Sequence, residues 1–390
     1  MIAIIKTYNF RLYPNKTQES NLSKLLDMAR LAYNKQLELK IKTYKEKSIN
    51  LTQFDLNNNL LKLKQENPFL YDIHSQALQN INQRISYAFN NFYRRVKNKE
   101  NPGFPRFKGK NRYDSITFPQ SGFSLSNKLY ISKMGNISIV QHREIKGKIK
   151  TMTIKRTLSG KWFAVFCAEQ QDNLEKSSAN KLIGIDVGLY HFYADSNGNL
   201  IENPRCLRKS EDKLAKIQRM HSRKKKGSKN RNKSRIKIAG IYEKITNQRK
   251  DFLHKESRKL ANLSNNIAVE KLSISNMVKN KYLSKSIADA SWQRFIQMLS
   301  YKVEETGGKL IEVNAKGTSQ YCICGNKVEK TLAVRIHRCT KCNIEIDRDV
   351  MSAMIIKQLA IKGTTAGSAE SNAWGDVSRE MPMNQESQCI

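Results

Sequence analysis

Three carboxylates and four thiols carry the chemistry this 390-residue sequence can offer. Asp186 stands inside the apolar run "KLIGIDVGLY", flanked by Leu182, Ile183, Ile185 and Val187. A carboxylate without a partner is costly to bury, so it ends a strand, keeps a counter-charge or takes a metal. Glu270 repeats the arrangement after "NIAV". Asp349, with Asp347 just before it, opens the apolar helical pattern "RDVMSAMIIKQLAIKG". Continuous apolar strands are typically central and buried on both faces. Acids gathered at their ends repel one another unless cations sit between them. Oxygen ligands of this kind suit Mg²⁺ or Mn²⁺. Two such ions roughly 3.5–4 Å apart can activate a water and stabilise the leaving oxygen of a phosphodiester. Singly, each acid has a plainer reading: Asp186 as a turn residue, Glu270 as the partner of a lysine, Asp349 as a helix N-cap. Together, in this order and on this strongly basic chain, Asp186, Glu270 and Asp349 read as the magnesium-binding catalytic set of a nuclease.

The thiols stand in "YCICGNK" and "HRCTKC", which supply Cys322, Cys324, Cys339 and Cys342. In a reducing compartment such clusters favour metal ligation over disulfides. Four thiolates suit tetrahedral Zn²⁺ in a structural site. The second pair has zinc-knuckle spacing, the first is a shorter C-x-C, and His337 is close enough in sequence to substitute for one ligand.

The charge says what these sites act on. Lys and Arg total 70 against 34 Asp and Glu, a net +36. That excess points to a polyanion partner. No apolar run approaches the ~20 residues of a spanning helix, and the N-terminus lacks a signal-peptide pattern. The expectation is a soluble, cytoplasmic protein that handles nucleic acid and has no membrane partner. Three stretches are candidates for the contact. The helical pattern over "SQALQNINQRISYAFNNFYRRVKNK" carries Gln76 and Gln79 on its polar face. "NPGFPRFKGKNRY" interleaves aromatics with Arg106 and Lys108. "HSRKKKGSKNRNKSR", residues 221–235, holds eight Lys or Arg and no acid, with Lys224, Lys225 and Lys226 at its centre. Phosphate tracking is the sharper reading of that run, a solvated tip the plainer one.

The elements that must position these residues follow from periodicity. "IIKTYNFRLY" reads as a strand, with a helix start near Thr17 and Glu19 and helical spacing to about residue 97. From there to about 169 come short β segments, "SITF", "KLYIS", "NISIV", "TMTIKRT" and "WFAVFCAE", at the interval of a small barrel. After a polar linker the order is strand, hairpin, helical pair, strand, helix, strand, cysteine insert, helix. That order suits an RNase H-like α/β sheet, in which the first and fourth strands are neighbours and the last helix packs beside them. Such a sheet brings the three acids together across 84 and 79 positions of chain.

The stretches "FRLYPNKTQ", "PRFKGK", "GIDVGL", "AVEKL", "TSQYCICG", "CTKC" and "DRDVMSAM" resemble, in order and over nearly the whole chain, the TnpB family encoded by transposable elements and often labelled transposases. The resemblance implies an RNA-guided, Mg²⁺-dependent DNA endonuclease. Its partners would be a guide RNA derived from the element and target double-stranded DNA, in the bacterial or archaeal cytoplasm. It assigns the RuvC triad to Asp186, Glu270 and Asp349, and the zinc ligands to Cys322, Cys324, Cys339 and Cys342. The implied fold is multidomain α+β. It comprises a wedge-like barrel at 1–15 and 104–175, a helical recognition region at 16–103, and a RuvC-like nuclease domain at 180–317 and 345–362. A zinc-finger insert at 318–344 and a polar tail at 363–390 complete it. The family usually has Asn at the position of Met351, so a polar group beside the acids would be missing. A nuclease-weak RNA-guided regulator of transposition or transcription is the alternative function.

Overall fold

The computed structural model describes residues 3–171, 181–314, 320–330 and 334–366. The linker expected at 172–180 lies outside them, as does the tail expected at 363–390 from residue 367 onward, while 363–366 continue the last helix. The chain divides into two compact units, Met1–Asn173 with Lys224–Gly240, and Leu174–Arg223 with Ile241–Ile390.

The first unit opens on β1 (Ala3–Tyr13) and α1 (Lys16–Lys47). The helix starts from Asn15 rather than Thr17. The Asn15 side chain accepts from Gln18 N at 2.8 Å while Gln18 Oε1 accepts from Asn15 N at 3.0 Å, a reciprocal cap. Short helices α2 (Gln53–Asn58) and α3 (Leu60–Glu66) lead to α4 (Ser75–Lys97), whose Leu78, Ile81, Ile85 and Phe89 are buried at the expected spacing. Then follow β2 (Ser115–Pro119), β3 (Phe123–Leu125), β4 (Lys128–Ile131), β5 (Gly135–Val140), β6 (Lys148–Arg156) and β7 (Trp162–Gln171). With β1 they form one antiparallel sheet in the order β2-β6-β7-β1-β5-β4-β3. Phe123 on β3 lies 6.3 Å from Phe166 on β7. Four strand spacings of ~4.8 Å would separate those strands in a flat sheet. The sheet therefore curls until it nearly closes, and inward residues such as Phe10, Phe118, Ile137 and Phe166 fill its interior.

The second unit begins with β8 (Leu182–Val187), β9 (His191–Asp195) and β10 (Leu200–Glu202). The "DSNGN" turn is held by buried Asp195, which accepts from the backbone of Asn197 and Asn199. Helices α5 (Glu211–Ser222) and α6 (Lys229–Leu263) follow, the latter reaching across both units in sequence. Next come β11 (Asn266–Glu270), α7 (Ile274–Met277), α8 (Ser284–Ala290), α9 (Trp292–Glu305) and β12 (Lys309–Val313). The strand order is β10-β9-β8-β11-β12, with β9 antiparallel to β8, and β11 parallel to both β8 and β12. The first and fourth strands are neighbours, as an RNase H-like sheet requires. A small ladder, β13 (Ile336–Arg338) with β14 (Glu345–Asp347), precedes α10 (Arg348–Ala366), which lies on β8.

That last packing is unusually close. A Cβ on Gly184 would sit 2.2 Å from Ala353 O and 2.7 Å from Lys357 N, both backbone atoms. Gly184→Ala should therefore push α10 off β8. A cost of about 1–3 kcal/mol is expected for overpacking, read as a lowered unfolding midpoint. Activity should fall too, because α10 carries Asp349.

Candidate active site

The register of β8 and β11 decides where two acids meet. Ala268 lies opposite Gly184 and Val269 opposite Ile185. Glu270 and Asp186 are the next residues on these two parallel strands, at the same end and about one strand spacing, ~4.8 Å, apart. Asp349 arrives from the first turn of α10. A Cβ built on Gly188, just past Asp186, would lie 3.9 Å from its Oδ2. Asp347 takes the capping role considered above for Asp349, accepting from Asp349 N at 2.8 Å.

The electrostatics are those of a carboxylate cluster. Burial, then the charges of Asp349 and Glu270, push Asp186 up to about 8, with Arg348 opposing and Asp347 adding. Burial also raises Glu270. Asp349 is raised by burial and by Asp347, against Arg335, His191 and Arg348. The neighbouring arginines do not offset burial and mutual repulsion, and a hard divalent cation would supply the missing counter-charge.

The four cysteine sulfurs all lie within 4.8 Å of one another. Cys322 Sγ is 3.5 Å from Cys342 Sγ, and Cys324 Sγ is 3.7 Å from Cys339 Sγ. Sulfurs at ~2.3 Å from a tetrahedral Zn²⁺ stand about 3.8 Å apart, so the set fits the ion. The short C-x-C hook closes through Gly325, whose φ of 83° favours glycine and whose N–H donates to Cys322 O at 2.9 Å. Hydrogen bonds from the Cys342 and Lys341 backbone, with help from Asn326, draw the Cys339 thiol down to about 6, while burial pushes Cys322 up. His337 does not join the four-cysteine cluster. It is fully buried, with Nδ1 against Lys330 Nζ.

Met351 lies away from the acids. It is 1% exposed and packs with Cys322, Cys339 and Ile355. Two residues on from Asp349, at about 100° each, it faces the other side of α10. The expected polar neighbour of the acids would not stand there in this chain.

Several families and proteins are similar to this chain. A family described as "Probable transposase" matches residues 165–281, and one described as "Cas12f1-like, TNB domain" matches 292–356. A third, described as "Helix-turn-helix domain", matches 1–48, which in this chain holds one strand and one long helix. A protein of Streptomyces pristinaespiralis, provisionally named an RNA-guided DNA endonuclease, is 30% identical over 377 residues, 94% of this chain and 92% of that one. This chain belongs to the TnpB family. InsQ of Escherichia coli K12, provisionally named likewise, is 27% identical over 90% of each chain. The "TnpB-like protein L79" of Acanthamoeba polyphaga mimivirus is 24% identical over 55% of this chain and 44% of its own. In fold, the TnpB chain is similar to the protein solved as a Cas12f1–sgRNA–target DNA complex. The TM-score is 0.56 at 12% identity, over 91% of this chain and 99% of that one.

The candidate nucleic-acid residues sit variously. Gln76 Oε1 accepts from Ser121 Oγ at 2.7 Å and from Ser121 N at 3.2 Å, joining α4 to the sheet. Gln79 and Arg106 are exposed. Lys108 is tied by its backbone to Asn34, and its ammonium lies 5.7 Å from the Tyr33 ring. Lys225 and Lys226 are exposed, whereas Lys224 is half-buried and its carbonyl accepts from Arg231 Nη1 at 2.7 Å. Sequence reasoning missed a cluster beside the acids. The Tyr190 ring stacks edge-on against His191 at 4.7 Å, and Arg335 lies 4.9 Å over it. No motif or spacing marks Arg335, which reaches the acids from between the cysteine pairs.

Proposed function

We propose that this TnpB protein is an RNA-guided, divalent-metal-dependent DNA endonuclease with a RuvC-type site, acting in the bacterial or archaeal cytoplasm. The observation that carries the reading is the meeting of Asp186, Glu270 and Asp349 at one end of the sheet, each raised by burial. The relatives named as RNA-guided DNA endonucleases support the guide and the substrate. A Cas12f1 protein of similar fold was solved with guide RNA and target DNA, and among the described residues no helix is long and apolar enough to cross a membrane.

Asp186, Glu270 and Asp349 would hold Mg²⁺ or Mn²⁺, which when bound supplies water activation and charge neutralisation at the leaving oxygen. Two of the acids stand on adjacent strands, so their oxygens are positioned without ordering a loop. Asp347 caps α10 and so leaves the Asp349 carboxylate to the cluster. Arg335 and Arg348 place positive charge beside Asp349, where the phosphodiester and its developing charge need it. The four cysteines would hold Zn²⁺ as a structural ion, fastening the insert against Met351 and Ile355 of α10.

The test is plasmid cleavage by the protein with its co-purified RNA, that RNA being sequenced to define the guide. Mg²⁺-dependent cutting at guide-matched sites is expected. Guided binding without cutting at any metal concentration would favour the regulator reading instead.

A pH effect follows from the raised carboxyls. Asp186 binds its proton more tightly in the folded protein, at about 8, than in the unfolded chain, at about 4. Folding is then favoured by protonation, so this contribution is full below about 4 and is lost as pH rises through about 8. The metal-free protein should melt lower at pH 9 than at pH 6. Mg²⁺ should restore more stability at the higher pH, and Asp186→Asn should flatten the dependence. A metal-free melting profile with no Asp186-dependent slope would refute the coupling.

The basic tip yields a further expectation. Changing Lys224, Lys225 and Lys226 together to Ala should flatten the salt dependence of RNA or DNA binding by up to about 2–3 slope units. All sequences should weaken alike, since guide pairing reads the target. An unchanged slope in a salt series would make these lysines a solvated tip.

A further inference from the structure

At the end of the sheet where Asp186 stands lies a cavity of ≈ 290 Å³, lined by Leu189, Asn203, Arg205, Arg208, Ser286 and Asp289. We propose that it binds a backbone phosphate of the DNA strand held at the acids, flanking the phosphate that is cut, with Arg205 and Arg208 as its ligands. The inference rests on the nuclease reading for the identity of the strand.

The cavity is joined to the segment that follows Asp186 and β8. Leu189 follows Asp186 by three residues, and Asn203 Nδ2 donates to Leu189 O at 3.1 Å. The wall is cationic. Asp289 is its one lining acid, and its oxygens are already used, by Arg249 Nη2 at 2.6 Å and by Leu207 N at 3.0 and 3.1 Å. Arg249 therefore neutralises Asp289, and Glu211, the acid whose carboxyl feels the Arg208 charge, is itself bonded to Lys285, so neither acid occupies the two cavity arginines. Among the described residues neither guanidinium is bonded to a carboxylate. Arg208 Nη2 reaches only Ser286 Oγ, at 3.4 Å.

The backbone is strained where the ligand would sit. Arg205 has a φ of 47°, the left-handed region that a non-glycine residue seldom takes. It is over-determined there, since its N–H donates to Asn203 Oδ1 at 3.2 Å and its carbonyl accepts from Lys209 N at 3.2 Å. Strain of this kind persists only where the surroundings impose it, and it concentrates at ligand sites. A planar guanidinium matches phosphate oxygens two at a time, so two arginines on a fixed turn form a phosphate clamp. A strand anchored there would be indexed against Asp186 through the Asn203–Leu189 bond.

The experiment uses the full RNA-loaded protein and a single-stranded DNA oligonucleotide, without added divalent metal. Binding is followed over a salt series for wild type, Arg205→Ala/Arg208→Ala and Arg205→Lys/Arg208→Lys. The alanine pair should lower the log–log slope by about 0.7 for each phosphate lost, and the lysine pair should retain it. Oligonucleotides carrying one neutral methylphosphonate at successive positions should show one position that weakens wild type but not the alanine pair. Equal slopes with superimposable methylphosphonate profiles would overturn the proposal. So would a flat profile in which inorganic phosphate, at constant ionic strength, removes the difference between wild type and variant, because the ligand would then be a free anion. Binding is read without catalysis, so an inactive wild type would sink the nuclease reading while leaving this test intact.

Discussion

Asp349→Ala should abolish DNA cleavage by the RNA-loaded protein while target binding stays within a few-fold of wild type. The carboxylate lies near Gly188, beside Asp186. Its loss would remove one of three ligands to a metal that activates water and neutralises the leaving oxygen. Such stabilisation is worth several kcal/mol, and each 1.36 kcal/mol is tenfold in rate, so a fall of about 10³-fold or more is expected. Binding should persist because it draws on the basic surface and guide pairing, neither of which uses Asp349. Asp347→Ala should cost less: it removes a cap bond to Asp349 N, worth about 1 kcal/mol, and leaves the ligand itself in place. Paired cleavage and binding assays decide the point. An Asp349→Ala protein that cuts at the wild-type rate would refute the triad.

Cys339→Ser should remove zinc and reduce cleavage, although the cysteine touches no substrate. Purified wild type should carry about one zinc per chain by metal analysis. Structural Zn²⁺ contributes about 10–16 kcal/mol of apparent binding energy in small finger peptides, so its loss should unfold the insert. The consequence reaches the acids through α10. Met351 and Ile355 bury against Cys322 and Cys339 on one side of the helix, while Asp349 stands in its first turn. Arg335, between the cysteine pairs, places its charge near Asp349 and its carbonyl accepts from Arg348 N at 2.7 Å. Freed of zinc, the insert would release both constraints, and the helix start should fray. Cleavage, metal content and melting temperature should fall together in the variant, with a chelator reproducing the effect on wild type. A wild type that is zinc-free yet folded and active would retire the assignment.

Much of this protein was legible from local pattern. Apolar strands ending in Asp186 and Glu270, the helix opening at Asp349, the two cysteine pairs and the alternating segments between 115 and 171 all carry short-range signals. Side-chain periodicity reports which face each element buries, whatever it is buried against. The net charge of +36 named the class of partner, because a charge excess acts at long range without needing a fold. The motifs together implied the family. Capping was read less well: Asn15, not Thr17, starts α1, since the reciprocal bond with Gln18 competes successfully for the helix end.

Tertiary structure alone decided which distant elements meet, and at what register. Sequence periodicity cannot say that Val269 lies opposite Ile185, yet one residue of slip would turn Glu270 to the other face of the sheet. The curl of the first sheet, set by Phe123 meeting Phe166, is likewise invisible in strands that read only as alternating. Met351 read as a lost polar neighbour of the acids, but the helical rotation and the cysteine insert bury it against sulfur. Gln76 read as a free polar face, whereas its oxygen is bonded to Ser121. Arg335 and His191 carry no local signature, because what distinguishes them is proximity to Asp349. Such proximity is created when separated segments are brought together by burying surface that neither can bury alone, and no window of sequence contains both sides of that contact.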